Sequence, residues 1–164
     1  MFTATIKDIW LGNLPVRGYP LYLVRDGTTV FYVGRSSDPA SRLRGGHLNP
    51  SERSKLGILI KQHLPLSLDW TLELFEIAEC GAIVAQWQPN EYQRFQTYRD
   101  DERYCWVSRD IAERAMIACY HPCFNVQGNP SPTPLPEQYQ RPGQPEAGAK
   151  SIEQWIKELF GGQS

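Results

Sequence analysis

Two short apolar runs, Leu21-Tyr22-Leu23-Val24 and Val30-Phe31-Tyr32-Val33, stand on either side of Asp26-Gly27. Aspartate followed by glycine supplies the backbone conformations that a tight reversal needs, so the pattern predicts a β-hairpin at the start of the fold. That commitment constrains the rest, because a lone hairpin is marginal in water and its apolar side chains need partners. Asp38-Pro39 offers a helix cap and a first-turn proline, predicting a short helix that Gly45-Gly46 should end. Asn49-Pro50 repeats the start signal, and Leu56, Leu59, Ile60 and His63 give the next helix an apolar face as far as Pro65. Residues 70–77 read as a third strand, 82–102 as helix interrupted at Pro89, and 108–120 as a further helix ended by Pro122. The order strand-strand-helix-helix-strand-helix predicts an α+β fold, a small three-stranded antiparallel sheet flanked by helices.

A chain of 164 residues, 41% hydrophobic and 21% charged, holds enough apolar surface for one core and too little for two. The compositional break comes late, with six of the thirteen prolines between Pro130 and Pro145. Residues 1–126 are therefore the expected body and 127–148 a Pro-rich linker, running over the surface or disordered. Beyond it, in 149–164, Ser151-Ile152-Glu153-Gln154 reads as a capping box, and Ile152, Trp155, Ile156, Leu159 and Phe160 recur at helical spacing. This C-terminal amphipathic helix is too short to be stable alone and is expected to dock on the body, a second copy or another protein. No apolar run approaches the ~18 residues needed to cross a bilayer, so no membrane partner is expected. The N-terminal residues lack a basic leader, and four cysteines in such a chain read as reduced thiols, which together point to the cytoplasm.

Net charge is −1, which removes the simple argument from a basic protein to nucleic acid. The distribution is more informative. Between Arg17 and Lys61 eight Lys or Arg face three acids, whereas between Asp69 and Arg103 eight acids face three arginines. One side of the molecule can attract phosphates while another repels them; a solvated mixed surface is the alternative.

Pro20-Leu21-Tyr22, Tyr32-Val33-Gly34, Arg42, Glu113 and Pro122-Cys123-Phe124-Asn125, in that order and on elements of the expected type, resemble the GIY-YIG nuclease domain. The resemblance spans about residues 20–125. Pro20 departs from it, standing where the first glycine of the motif belongs. It implies metal-dependent hydrolysis of a phosphodiester in DNA, double-stranded in the usual case, with Mg²⁺ or Mn²⁺ as cofactor and a homodimer wherever a concerted double-strand cut is made by one site per chain. A non-catalytic nucleic-acid-binding or interaction module on the same fold is the alternative.

The residues themselves fit that chemistry. Cleaving a phosphodiester requires activated water, neutralised phosphate charge and a stabilised leaving oxygen. Glu113 is the candidate metal ligand, since Mg²⁺ keeps several waters and needs only one or two protein carboxylates. At about 100° per residue Glu113 falls with Ile117 and Tyr120 on a helix that is apolar nearly all round, so it needs a cation or an arginine as partner. A structural Glu113–Arg ion pair is the plainer alternative. Arg42 stands where the family places a phosphate-binding arginine, and a guanidinium grips two oxygens at once.

Tyr22 and Tyr32 match the tyrosines of the name motifs, one of which is expected to act as general base or to position water. A three-residue loop over Asp26–Thr28 sets them directly opposite, and a two-residue turn alone sends them to opposite faces. An odd-length loop or an equivalent bulge is therefore predicted. His47 lies near where some members carry a proton-transfer residue and completes the candidate catalytic set. Gly34, Arg35, Arg44 and Asn125 are the candidate substrate-side residues, Gly34 by letting the chain approach the phosphate and Asn125 by tying down the active-site backbone; a solvated Arg44 and a surface His47 stay open. Cys119, His121 and Cys123 make only one close pair of zinc-type ligands, and free thiols are the favoured reading.

Overall fold

The computed structural model describes residues 1–49 and 54–141, together with Lys157. A short strand β1 (Phe2–Thr5) and helix α1 (Ile6–Leu11) precede the hairpin of β2 (Leu21–Asp26) and β3 (Thr29–Arg35). Helix α2 (Pro39–Arg42) runs into a π-helical turn (Leu43–His47), followed by α3 (Lys55–Gln62), β4 (Thr71–Phe75), α4 (Gly81–Trp87), α5 (Tyr92–Tyr98), α6 (Cys105–Tyr120) and the single turn α7 (Glu137–Gln140). The fold is α+β as the sequence predicts, but the antiparallel sheet has four strands rather than three, in the order β1-β4-β2-β3. No helix among the described residues is long and apolar enough to cross a membrane.

Both faces of the sheet are covered. Tyr22, Val24, Phe31, Leu72 and Leu74 pack with Ile6, Ile9, Leu43, Leu48, Leu56, Leu59 and Ile60 on one side. Leu21, Leu23, Val30, Val33 and Phe75 pack with Val84, Phe95, Ile111, Ala115 and Met116 on the other. Strand β2 is thus buried on both faces, which is why its sequence is an unbroken apolar run rather than an alternation. Each fully buried aliphatic or aromatic side chain contributes roughly 1.5–3 kcal/mol of transfer free energy.

Two of the expected boundaries move. The helix begun by Asp38, whose carboxylate accepts the Ser41 N–H at 3.0 Å, does not stop at Gly45-Gly46 but carries on to His47. The glycines sit inside a wider turn in which the Leu48 N–H reaches the Leu43 carbonyl at 2.9 Å. Helix α3 is capped by Ser54; the Asn49-Pro50 start signal falls partly outside the described residues.

The hairpin closes through a two-residue loop, Gly27 and Thr28, with Gly27 at φ 54°. Its register then shifts between Val24 and Arg25, leaving Phe31 as an extra residue in β3. This bulge restores the parity that the two-residue loop would have lost. Tyr22 pairs with Gly34 and Tyr32 with Val24, so the tyrosines share a face as predicted, as diagonal neighbours rather than as a directly opposed pair.

Strand β3 is an edge, and an uncovered edge offers unpaired N–H and C=O groups to any passing strand. Here the segment after α6 lies along it. Cys123 and Phe124 donate to the Val30 and Phe31 carbonyls at 3.1 and 2.9 Å, and Asn125 bonds both backbone groups of Val33.

The start of the expected linker is part of the body. Asn129 is buried, with Nδ2 donating to the Pro122 and Asn125 carbonyls at 3.0 and 2.9 Å. Tyr139 is buried against Phe31, Trp70 and His63, its hydroxyl donates to Asp26 at 2.7 Å, and its carbonyl accepts from His63 Nε2 at 3.2 Å. One aromatic anchor, absent from any periodic pattern, therefore straps residues 127–141 to the body. The rest of the linker and, apart from Lys157, the C-terminal amphipathic helix lie outside the described residues.

Candidate active site

The two tyrosines meet at the base of the site. Their ring centroids are 6.2 Å apart, with Tyr22 almost fully buried and Tyr32 half-buried. Gly34 makes this arrangement possible. A Cβ at position 34 would lie 2.5 Å from both Cζ and Oη of Tyr22 and 2.8 Å from Cε1 of Tyr32. The glycine expected at a phosphate approach thus first gives the Tyr22 hydroxyl end and the Tyr32 ring room to lie across the strand.

Arg42 reaches the same place from α2. Its guanidinium lies over Gly46, where a Cβ would come within 2.9 Å of Nη1, and the residue is exposed. Its positive charge acts on Tyr22, Tyr32 and His47 alike. Burial pushes the Tyr22 phenol well above its ordinary value, the neighbouring Tyr32 adds to this, and the Arg42 charge and hydrogen bond oppose it. Tyr32 is also raised, by burial and then by the charge of Glu113, with Arg42 again opposing. Both phenols are therefore protonated at neutral pH and serve as hydroxyl donors in the free protein.

His47, at the end of the π-helical turn, is buried at 5% exposure. Its Nε2 lies 3.4 Å from Tyr22 Oη, its Nδ1 lies 2.9 Å from Ser54 Oγ, and its ring meets Tyr32 edge-on with centroids 4.8 Å apart. Burial, and secondarily the Arg42 charge, lower its pKa to about 4, so it is neutral. The surface alternative for His47 is set aside.

Glu113 comes from α6, on the other side of the sheet, and meets Arg35 at the end of β3. Its carboxylate accepts from Arg35 Nε at 3.0 Å, while Arg35 Nη1 reaches Asp110 at 3.1 Å and Arg114 Nε holds the second Asp110 oxygen at 3.1 Å. Burial raises the Glu113 pKa; Arg35 opposes that and Asp110 adds to it. The ion pair expected for this acid exists, and its cation is the residue beside Gly34. Asp110, one turn before Glu113 on the same helix face, was not among the sequence candidates; its spacing three residues before Glu113 was the available signal.

Two substrate-side candidates are hydrogen-bonded to the protein's own backbone. The Arg44 guanidinium donates to the Ile9 carbonyl at 2.6 Å, near the end of α1. Its position two residues after Arg42 turns it toward α1 rather than toward the tyrosines. Asn125 accepts from the Val33 N–H and donates to the Val33 carbonyl, each at 2.8 Å, so it ties down β3 beside Gly34 and has both ends of its amide spent on protein. Sequence reasoning missed Ser54, whose capping role is visible only once the start of α3 is known.

Among the described residues no group of three or more His, Cys, Asp or Glu comes together in a form that could hold a metal ion, and Cys119, His121 and Cys123 are no exception. Glu113, with Asp110 beside it, fits only a hard, strongly hydrated cation that takes one or two carboxylates and fills its remaining positions with water and substrate oxygens. Comparison with protein-family models, with curated proteins and with solved structures finds no match to this chain.

Proposed function

We propose that this chain is a GIY-YIG-type endonuclease that hydrolyses phosphodiester bonds in double-stranded DNA with Mg²⁺ or Mn²⁺. The observation that carries the reading is the grouping of Tyr22, Tyr32, Arg42, His47 and Glu113, drawn from both faces of the sheet, near the Gly34–Arg35 end of β3. Arg42 grips the phosphate, being exposed and permanently charged. The Tyr22 and Tyr32 hydroxyls orient the attacking water, and neutral His47 holds Tyr22 in place. Glu113 would hold the metal, which supplies charge neutralisation at the phosphate and at the leaving oxygen. Arg35, freed from Glu113 when a cation takes its place, is available to a second phosphate oxygen.

The Arg35–Glu113 pair also favours a second reading, a nucleic-acid-binding module in which the acid only braces the fold. The two separate in one experiment. Supercoiled plasmid is incubated with the protein in Mg²⁺, Mn²⁺ or EDTA, beside Glu113→Gln and Arg42→Ala. The nuclease reading expects nicking or linearisation that needs both metal and Glu113, and a loss of roughly 10²–10³-fold for Arg42→Ala as a transition-state charge contact disappears. Retardation of DNA that is equal with and without metal, and no cleavage by any variant, would establish the binding module.

A further inference from the structure

Ser54 performs two tasks at once. Its Oγ accepts the Gly57 N–H at 2.9 Å, capping α3, and the same oxygen stands 2.9 Å from His47 Nδ1. The contact is enforced by close packing, because a Cβ at Gly57 would collide with the His47 carbonyl oxygen. The first turn of α3 is pressed against the backbone that carries His47.

A serine hydroxyl has one proton and two lone pairs, and a neutral imidazole has one N–H and one bare nitrogen. The capping bond already takes one lone pair of Ser54. If His47 donated from Nδ1, Ser54 would accept twice and its own proton would go unused. If Ser54 donates to Nδ1, the hydroxyl accepts once and gives once, and the histidine proton resides on Nε2, which faces Tyr22 Oη at 3.4 Å.

We infer that Ser54 is a positioning residue that fixes His47 as the Nε2–H tautomer, so that His47 donates to Tyr22 rather than accepting from it. The consequence lies at Tyr22. With His47 donating to its oxygen, the Tyr22 proton has to point away from His47, toward the side of the site that Tyr32 borders. Tyr22 then presents a hydroxyl donor of fixed direction. Its weight in catalysis rests on the nuclease reading above; the tautomer does not.

The test uses the full chain, which has three histidines, so that side-chain ¹H–¹⁵N correlation spectra above pH 7 are assigned by His47→Gln alone. The wild type is expected to show a bare Nδ1 and a protonated Nε2 for His47. Ser54→Thr keeps the pattern. Ser54→Asp retains an acceptor for the α3 cap but has no proton to give, so it reverses the pattern to Nδ1–H even if Ser54→Ala proves too unstable to measure. A wild-type His47 protonated on Nδ1, or a pattern unchanged in Ser54→Asp, overturns the inference. In plasmid cleavage Ser54→Asp loses roughly 10- to 100-fold, the scale on which losing the hydrogen-bond partner that orients a metal-bound histidine lowers activity, and Ser54→Thr stays near the wild type. A wild type that has the Nε2–H tautomer and cuts nothing refutes the nuclease reading and leaves the assignment of Ser54 intact.

Discussion

Gly34→Ala probes the site where its geometry is tightest. The new Cβ would stand 2.5 Å from Tyr22 Cζ and Oη, against the 3.4–4 Å of an ordinary contact, so something must move by about 1 Å. Tyr22 is held on all sides at 1% exposure, and the backbone of Gly34 is paired with Tyr22 itself, so the displaced atoms are the tyrosine hydroxyl end and the neighbouring Tyr32 ring. Overpacking of this kind costs about 1–3 kcal/mol. Part of it is offset by about 0.4–1 kcal/mol, because Gly34 is not in the left-handed region and alanine narrows the unfolded ensemble. The net loss of stability is therefore modest, of order 1–2 kcal/mol. The effect on turnover is larger, since a displacement of about 1 Å in a positioned group costs on the order of 10²-fold. Urea denaturation and plasmid-cleavage kinetics on the same preparations read both quantities. Gly45→Ala is the control, as a Cβ there meets nothing within 4 Å, and it should match or slightly exceed wild-type stability with an unchanged rate. A Gly34→Ala variant that cleaves at the wild-type rate would refute the placement of Tyr22 over Gly34.

Three further outcomes follow from the same geometry. His47 is neutral in the folded state with a pKa near 4 and about 6.5 when unfolded, so between those values the unfolded chain binds more protons; stability should be constant with respect to this group above about pH 7 and fall by up to about 1.4 kcal/mol per pH unit below 6.5, and His47→Gln should lack that part of the slope in acid denaturation series. Arg35→Gln removes the cation that competes for Glu113, so half-maximal cleavage should need less Mg²⁺ while DNA binding weakens; a higher Mg²⁺ requirement in titrations would count against Glu113 as the ligand. Tyr139→Ala should lower stability by roughly 3–5 kcal/mol through loss of its packing on Phe31 and Trp70, and Tyr139→Phe by only about 0.5–1.5 kcal/mol through loss of the Asp26 bond, both read from thermal or urea melts.

The amino-acid order by itself determined the features with local causes. Asp26-Gly27 between two apolar runs is enough for the hairpin, because turn chemistry acts over a few residues. Asp38-Pro39, Pro65, Pro89 and Pro122 punctuate the helices for the same reason. For Tyr22 and Tyr32 it left two answers, a shared face or opposite faces, and the bulge between Val24 and Arg25 chose the shared face. Glu113 on an apolar helix demanded a counter-charge, but which arginine answered was not legible. Only the packed chain decided that, because Arg35 and Asp110 meet across the sheet edge through a contact between β3 and α6 that no local pattern encodes.

The remaining features were hidden for related reasons. Strand β1 is four residues long and takes its identity from pairing with β4, so nothing in Phe2-Thr3-Ala4-Thr5 alone could announce it. Arg44 and Arg42 are the same residue type two positions apart and both are exposed, and only the docking of α1 makes Arg44 a backbone tie. Tyr139 sits in a Pro-rich stretch that resembles a linker, and it is buried because a pocket between Phe31, Trp70 and His63 exists to receive it. Ser54 acquires its second task only where α3 closes on His47. Local propensity is written in neighbouring residues, whereas the pairing of charges, the filling of a pocket and the tautomer of a buried histidine depend on groups brought together from distant parts of the chain.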